Sequence, residues 1–150
     1  MISGSSSPAA KRQKLLHILI VLFSLCGLAD SIYLTVEHIT GQSVRCTIVA
    51  GCSEVLSSSY AVVGGYPLAS IGALAYFTVF SLAILALFGY RIAGTLLLPL
   101  VLAMCLVSLY LIYLQAFVIH AFCQFCLFSA ATTFMLTLLT LALWKTRVRS

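Results

Sequence analysis

The chain has 150 residues, of which 63% are hydrophobic and only 7% charged, and its mean hydropathy is +1.18. That leaves too little polar surface to coat a soluble globule, so the composition excludes a water-soluble enzyme and specifies an integral membrane protein. The net charge of +5 does not indicate nucleic acid: the basic residues border apolar runs and form no stripe with interleaved aromatics, so anionic lipid head groups are their expected neighbours.

Residues 1–14, Ser-rich with Gly4 and Pro8 and then Lys11, Arg12 and Lys14, read as a disordered basic tail. Four apolar runs follow, at about 15–36, 67–88, 92–114 and 123–144. Each supplies the roughly 20 helical residues that cross a ~30 Å hydrocarbon core. The expected fold is an all-α membrane protein, a bundle of four transmembrane helices with a half-helix in its outer loop. The first run has no clear small-residue cleavage site and is expected to act as a signal anchor. Lys11, Arg12, Lys14, Arg91, Lys145, Arg147 and Arg149 all fall on one side of the spans, with Arg45 alone opposite. By the positive-inside rule both termini, including the basic tail 145–150, are cytoplasmic, while the 39–66 loop and the 115–122 connection face outward. The expected location is the cell's inner membrane. The spans fill residues 15–144 and leave no room here for a thioredoxin-like domain, so any thiol partner is expected to be a separate protein.

The long outer loop has its own organisation. Ser53 is placed to cap a short interfacial helix, Gly64-Gly65 to end it, and Pro67 to open the second span. Tyr60 and Tyr66 suit the head-group level.

Four of the six cysteines lie on the outer side: Cys46 and Cys52 in the loop, Cys123 and Cys126 at the start of the last span. Sulfurs at i and i+3 share a helix face, and the first turn of a helix stabilises a thiolate, the species that attacks disulfides. An accessible pair beside a second pair at the membrane is what a two-electron relay from an external thiol to a membrane oxidant requires. The alternatives are a static loop disulfide for Cys46 and Cys52, small buried apolar residues for Cys123 and Cys126, or a four-cysteine zinc site. An outer compartment that oxidises thiols disfavours the zinc site, and no metal is expected. Cys26 and Cys105 lie within apolar spans and are expected to pack inertly. Asp30, Tyr33 and Glu37 share one face of the first helix toward its outer end. A carboxylate at that depth is costly unless it faces the bundle interior or water, so Asp30 is a candidate for proton delivery or cofactor contact. His38 and His120 are placed to pass protons or to anchor at the interface, and His17 to anchor.

The order C-x5-C-S at Cys46 to Ser53, the serine cluster, Gly64-Gly65-Tyr66-Pro67-Leu68 followed by Gly72 and Tyr76, and then Cys123-x-x-Cys126 resembles the vitamin K epoxide reductase family. Ser31-Ile32-Tyr33-Leu34 resembles that family's first-helix segment, and the similarity runs from about Gly27 to Thr137. It points to the bacterial and archaeal branch. The resemblance implies a four-helix bundle enclosing a quinone near the outer surface. Cys126 would be the cysteine beside the quinone and Cys123 its partner. Cys52 would exchange with Cys123, Cys46 would accept electrons from an extracytoplasmic thioredoxin-fold protein, and Ser58 would help shape the pocket. The implied function is a quinone-dependent thiol–disulfide oxidoreductase that supports disulfide formation.

Two positions depart from the animal members, which carry an asparagine and a tyrosine, implicated in contacts to the vitamin's oxygens, where this chain has Leu68 and Ala130. Reduction of vitamin K epoxide in the endoplasmic reticulum is therefore the lesser alternative, and a non-enzymatic four-span scaffold with structural disulfides is another.

Overall fold

A computed structural model of the protein describes residues 7–42, 46–48 and 51–149. Among these residues there are five α-helices: α1 (Pro8–Thr40), α2 (Cys52–Ser57), α3 (Leu68–Leu87), α4 (Arg91–Tyr113) and α5 (Gln124–Arg149). All but α2 are long and apolar enough to cross a membrane, so among the described residues there are four candidate spans. In the bundle α1 packs on α3 and α5, and α4 packs on the same two helices, closing a four-membered ring. An even number of spans returns the chain to its starting face.

The side chains are distributed for lipid outside and packing within. Leu74 and Leu106 are 69% and 68% exposed, an apolar exterior that only a hydrocarbon solvent tolerates at this scale. The inner face of α5 instead carries Thr132, Thr133, Thr137 and Thr140, all buried. Their hydroxyls return to carbonyls four residues back, at 2.9, 3.0, 2.8 and 2.6 Å, and so enter the bundle without leaving a polar atom unpaired. Buried Ile20, Tyr76, Val79, Leu97, Val101 and Leu136 form the central core. A Cβ on Gly27 would run into the Tyr76 ring. That glycine therefore lets α1 and α3 approach, while the Tyr76 hydroxyl bonds the Ser129 carbonyl at 2.8 Å and Thr133 Oγ1 at 2.8 Å on α5.

Several element ends differ from the sequence expectation. α1 starts at Pro8, so Lys11, Arg12 and Lys14 ride on helix where a disordered tail 1–14 was expected. Ser7 caps it by accepting from Ala10 N–H at 3.3 Å, Pro8 has the right φ for a first turn, and Ala9 to Lys14 are good helix formers. α5 likewise continues through Lys145, Arg147 and Arg149, all expected in a terminal tail. Beyond Tyr113 the third span widens into a π turn, Leu114–Ile119, which ends at His120 in the left-handed region (φ 55°). The loop half-helix exists, but Gly51 rather than Ser53 is its N-cap. Gly64 and Gly65 do not end it. They are the turn of a small hairpin whose strands β1 (Val62–Val63) and β2 (Tyr66–Pro67) pair Val62 with Pro67 and Val63 with Tyr66. Both glycines have positive φ (59° and 85°), which a type I′ turn demands. Arg45 lies outside the described residues.

Candidate active site

Two cysteine pairs meet at one end of the bundle. Cys46 and Cys52 are joined as a disulfide, with Cα atoms 5.8 Å apart, while Cys123 and Cys126 are free thiols. Cys52 and Cys123 are 1% and 0% exposed and belong to one buried cluster with Leu34, Val55 and Ala121, against which Cys46 and Cys126 pack. Gly51 allows this proximity: a Cβ there would stand 2.6 Å from the Phe122 carbonyl oxygen and 2.8 Å from the Phe122 nitrogen. The N-terminus of α2 thus rests directly on the segment that leads into Cys123.

Cys123 is the N-cap of α5. Its carbonyl accepts from Leu127 N–H at 2.9 Å, and its sulfur accepts from Cys126 N–H at 3.4 Å. A hydrogen bond from the Cys126 thiol lowers the Cys123 pKa from 9.0 to about 7, helped by the backbone N–H groups of Cys126 and Phe125 and opposed by burial and by the charge of Asp30. A thiol that ionises near neutrality is both an attacking and a leaving group for disulfide exchange.

Two glutamines fix this corner, and sequence reasoning missed both. Gln115, in the π turn and 2% exposed, accepts the Cys123 N–H at its Oε1 (2.9 Å), while its own carbonyl accepts from Ala121 N–H at 3.1 Å. Gln124, inside the CxxC, accepts the backbone N–H groups of Thr47 and Ile48 at its Oε1, at 3.2 and 2.9 Å. It therefore holds the loop that carries the first pair onto the helix that carries the second. Neighbouring Phe125 packs on Tyr33, ring centroids 5.2 Å apart.

Beside Cys126 lies a cavity of about 830 Å³, counting its open mouth, lined by apolar side chains including Leu34, Leu56 and Leu111 and by a few polar ones. Its lining, mostly apolar with a few polar groups, has the character of a pocket for a flat apolar ligand with a few polar atoms. Asp30 and Ser58, both expected to touch a cofactor, line it, as do His38 and Gln115. Asp30 is 9% exposed, and its Oδ2 has no hydrogen-bond partner. Ser58 turns its hydroxyl back to the Val55 carbonyl at 2.6 Å.

The expected stripe on α1 divides. Tyr33 is 42% exposed and packs on Phe125, while Glu37 borders a separate shallow cleft beside α2. Of the histidines, His120 is exposed and not in the cavity wall. His17 is a buried group rather than an interfacial anchor, its Nδ1 donating to the Gln13 carbonyl at 2.8 Å. Cys26 is exposed on the helix surface and Cys105 half-buried, both outside the cluster and the cavity.

The sequence model of the vitamin K epoxide reductase family matches residues 18–141, a stretch that reaches into all four spans and takes in both cysteine pairs.

Proposed function

The chain belongs to the vitamin K epoxide reductase family, membrane thiol–disulfide oxidoreductases, and from that premise we propose that it carries electrons from an extracytoplasmic thioredoxin-fold dithiol, through Cys46/Cys52 and then Cys123/Cys126, to a quinone. The observation that carries this reading is the double membership of the CxxC. Cys123 shares a buried cluster with Cys52, and Cys126 lines the apolar cavity.

The relay conserves atoms and electrons at each step. A partner thiolate attacks Cys46, the Cys46–Cys52 bond breaks, and the second partner thiol displaces Cys46 to leave the partner oxidised and the loop pair reduced. Cys52 thiolate then attacks Cys123 of a Cys123–Cys126 disulfide and releases Cys126. Cys46 attacks Cys52, frees Cys123 and restores the loop disulfide. A bound quinone would serve as the two-electron, two-proton acceptor: as the Cys123–Cys126 bond re-forms, the dithiol releases two electrons and two protons toward the cavity. Asp30, with an unpartnered oxygen in the cavity wall, holds and passes a proton there, and Ser58 shapes the wall beside it. The leucine-rich wall excludes water from that end of the path.

The basic residues at the ends of the spans support, by the positive-inside rule, an orientation with the termini toward the cytoplasm, and the proposed relay then works on the outer face of the inner membrane. Purified protein mixed with a reduced thioredoxin-fold protein and a short-chain quinone will form quinol, and Cys126→Ala will not. Quinol formation at the wild-type rate by Cys126→Ala would refute the assignment.

A further inference from the structure

Gln115 is engaged on one side only. Its Oε1 takes the Cys123 N–H at 2.9 Å and its backbone oxygen takes the Ala121 N–H. Its Nε2, with two N–H donors, has no hydrogen-bond partner among the described residues. The residue is nevertheless 2% exposed and borders the cavity. A primary amide held by its oxygen has a fixed plane, so its N–H donors have a fixed direction and are free for an acceptor in the cavity that the residue borders.

The π turn accounts for the placement. One wide turn from Leu114 to Ile119 breaks the α register at the end of the third span, and such turns recur where a helix must present a side chain out of step. Asp30, Ser31, His38, Ser58 and Tyr60 also line the wall, but Ser58 donates back to the Val55 carbonyl, and of these groups Gln115 is the one whose side chain also holds the Cys123 N–H.

We infer that Gln115 is the group that hydrogen-bonds a quinone carbonyl in the cavity, its Nε2–H donating to that oxygen while its Oε1 holds the Cys123 N–H. This rests on the quinone reading above. One carboxamide then joins the oxidant to the CxxC corner, and because hydrogen bonds through an amide polarise one another, occupation of the cavity strengthens the hold on Cys123.

The test is equilibrium binding to fully oxidised protein, which has no electrons to give, so turnover does not interfere. The probes are 2-methyl-1,4-naphthoquinone and 1,4-dimethylnaphthalene, which share a ring system but not the carbonyls. Wild-type protein is expected to prefer the quinone. Gln115→Met, similar in size and without N–H donors, is expected to lose about tenfold of that preference, the worth of one buried hydrogen bond, and Gln115→Leu serves the same purpose if Gln115→Met does not fold. General distortion of the cavity weakens both probes alike and leaves the ratio unchanged. An unchanged ratio would overturn the role of Gln115 while leaving the quinone site standing, whereas a wild-type protein that binds no quinone would overturn the functional reading itself. In the infrared, the bound quinone is expected to show one carbonyl stretch lowered relative to the quinone in hydrocarbon, and Gln115→Met to restore it. A band unshifted in wild type would also overturn the inference.

Discussion

The ionisation of Cys123 sets how the potential of the CxxC depends on pH. Its pKa is lowered from 9.0 to about 7 in the reduced form, chiefly by the Cys126 thiol hydrogen bond. A lowered thiol pKa favours the reduced form fully above pH 9, progressively less as pH falls toward 7, and not at all below 7. At pH 8 the shift is worth about 1.4 kcal/mol, one pKa unit, which for a two-electron couple raises the reduction potential by about 30 mV. Each proton taken up with the electron pair contributes about 30 mV per pH unit, so the potential should fall by about 59 mV per unit below pH 7 and by about 30 mV per unit between 7 and 9. The assay uses the Cys46→Ser/Cys52→Ser protein, equilibrated with thiol–disulfide buffers from pH 6 to 9, acid-quenched, alkylated and read by mass. A single slope of about 59 mV per unit up to pH 9 would refute the N-cap thiolate.

Packing at this corner and in the bundle core sets the further outcomes. Gly51→Ala places a Cβ against Phe122 and should lower the yield of a trapped Cys52–Cys123 disulfide, in a Cys46→Ala/Cys126→Ala background, by about tenfold, the scale of a 1–3 kcal/mol overpacking penalty; an unchanged yield would show that α2 need not dock there. Gln124→Leu removes the acceptor for Thr47 and Ile48, so the same trapped yield should fall by severalfold, for a loss of about 1 kcal/mol, while Gln124→Glu, which keeps an acceptor, restores it. Tyr76→Phe removes the hydroxyl that joins α3 to Ser129 and Thr133; it should cost roughly 1 kcal/mol of stability in detergent, and Gly27→Ala more, because its Cβ meets the ring itself.

The spans and the cysteine pairs were readable from the chain because hydropathy and i, i+3 spacing are local properties. The ends of α1 and α5 were not: the polar residues Lys11 to Lys14 and Lys145 to Arg149 lose hydropathy but keep helix propensity, so the helices outlast the apolar runs. The loop glycines Gly64-Gly65 fit two turn chemistries, a helix end and a hairpin, and only the pairing of Val62 with Pro67 decides between them. Within the site, Asp30 stood out as an acidic residue in an apolar span. Gln115 and Gln124 did not, because their roles exist only across folded distance; Gln124 meets Thr47 and Ile48 from 77 and 76 residues away. A glutamine in the otherwise apolar stretch from Leu109 to Ile119 was the one available hint. The family resemblance supplied the order of the relay, and the cluster and cavity supply its geometry.

The central claim is that both dithiols discharge through Cys126 into a quinone, and counting electrons tests it most directly. Fully reduced protein, mixed anaerobically with excess short-chain quinone in the absence of any thiol partner, should yield two quinols per chain. Cys46→Ala/Cys52→Ala should yield one, and Cys126→Ala none. A yield of one from the wild-type chain would mean that the loop pair does not feed the CxxC, and quinol from Cys126→Ala would mean that electrons leave by another route.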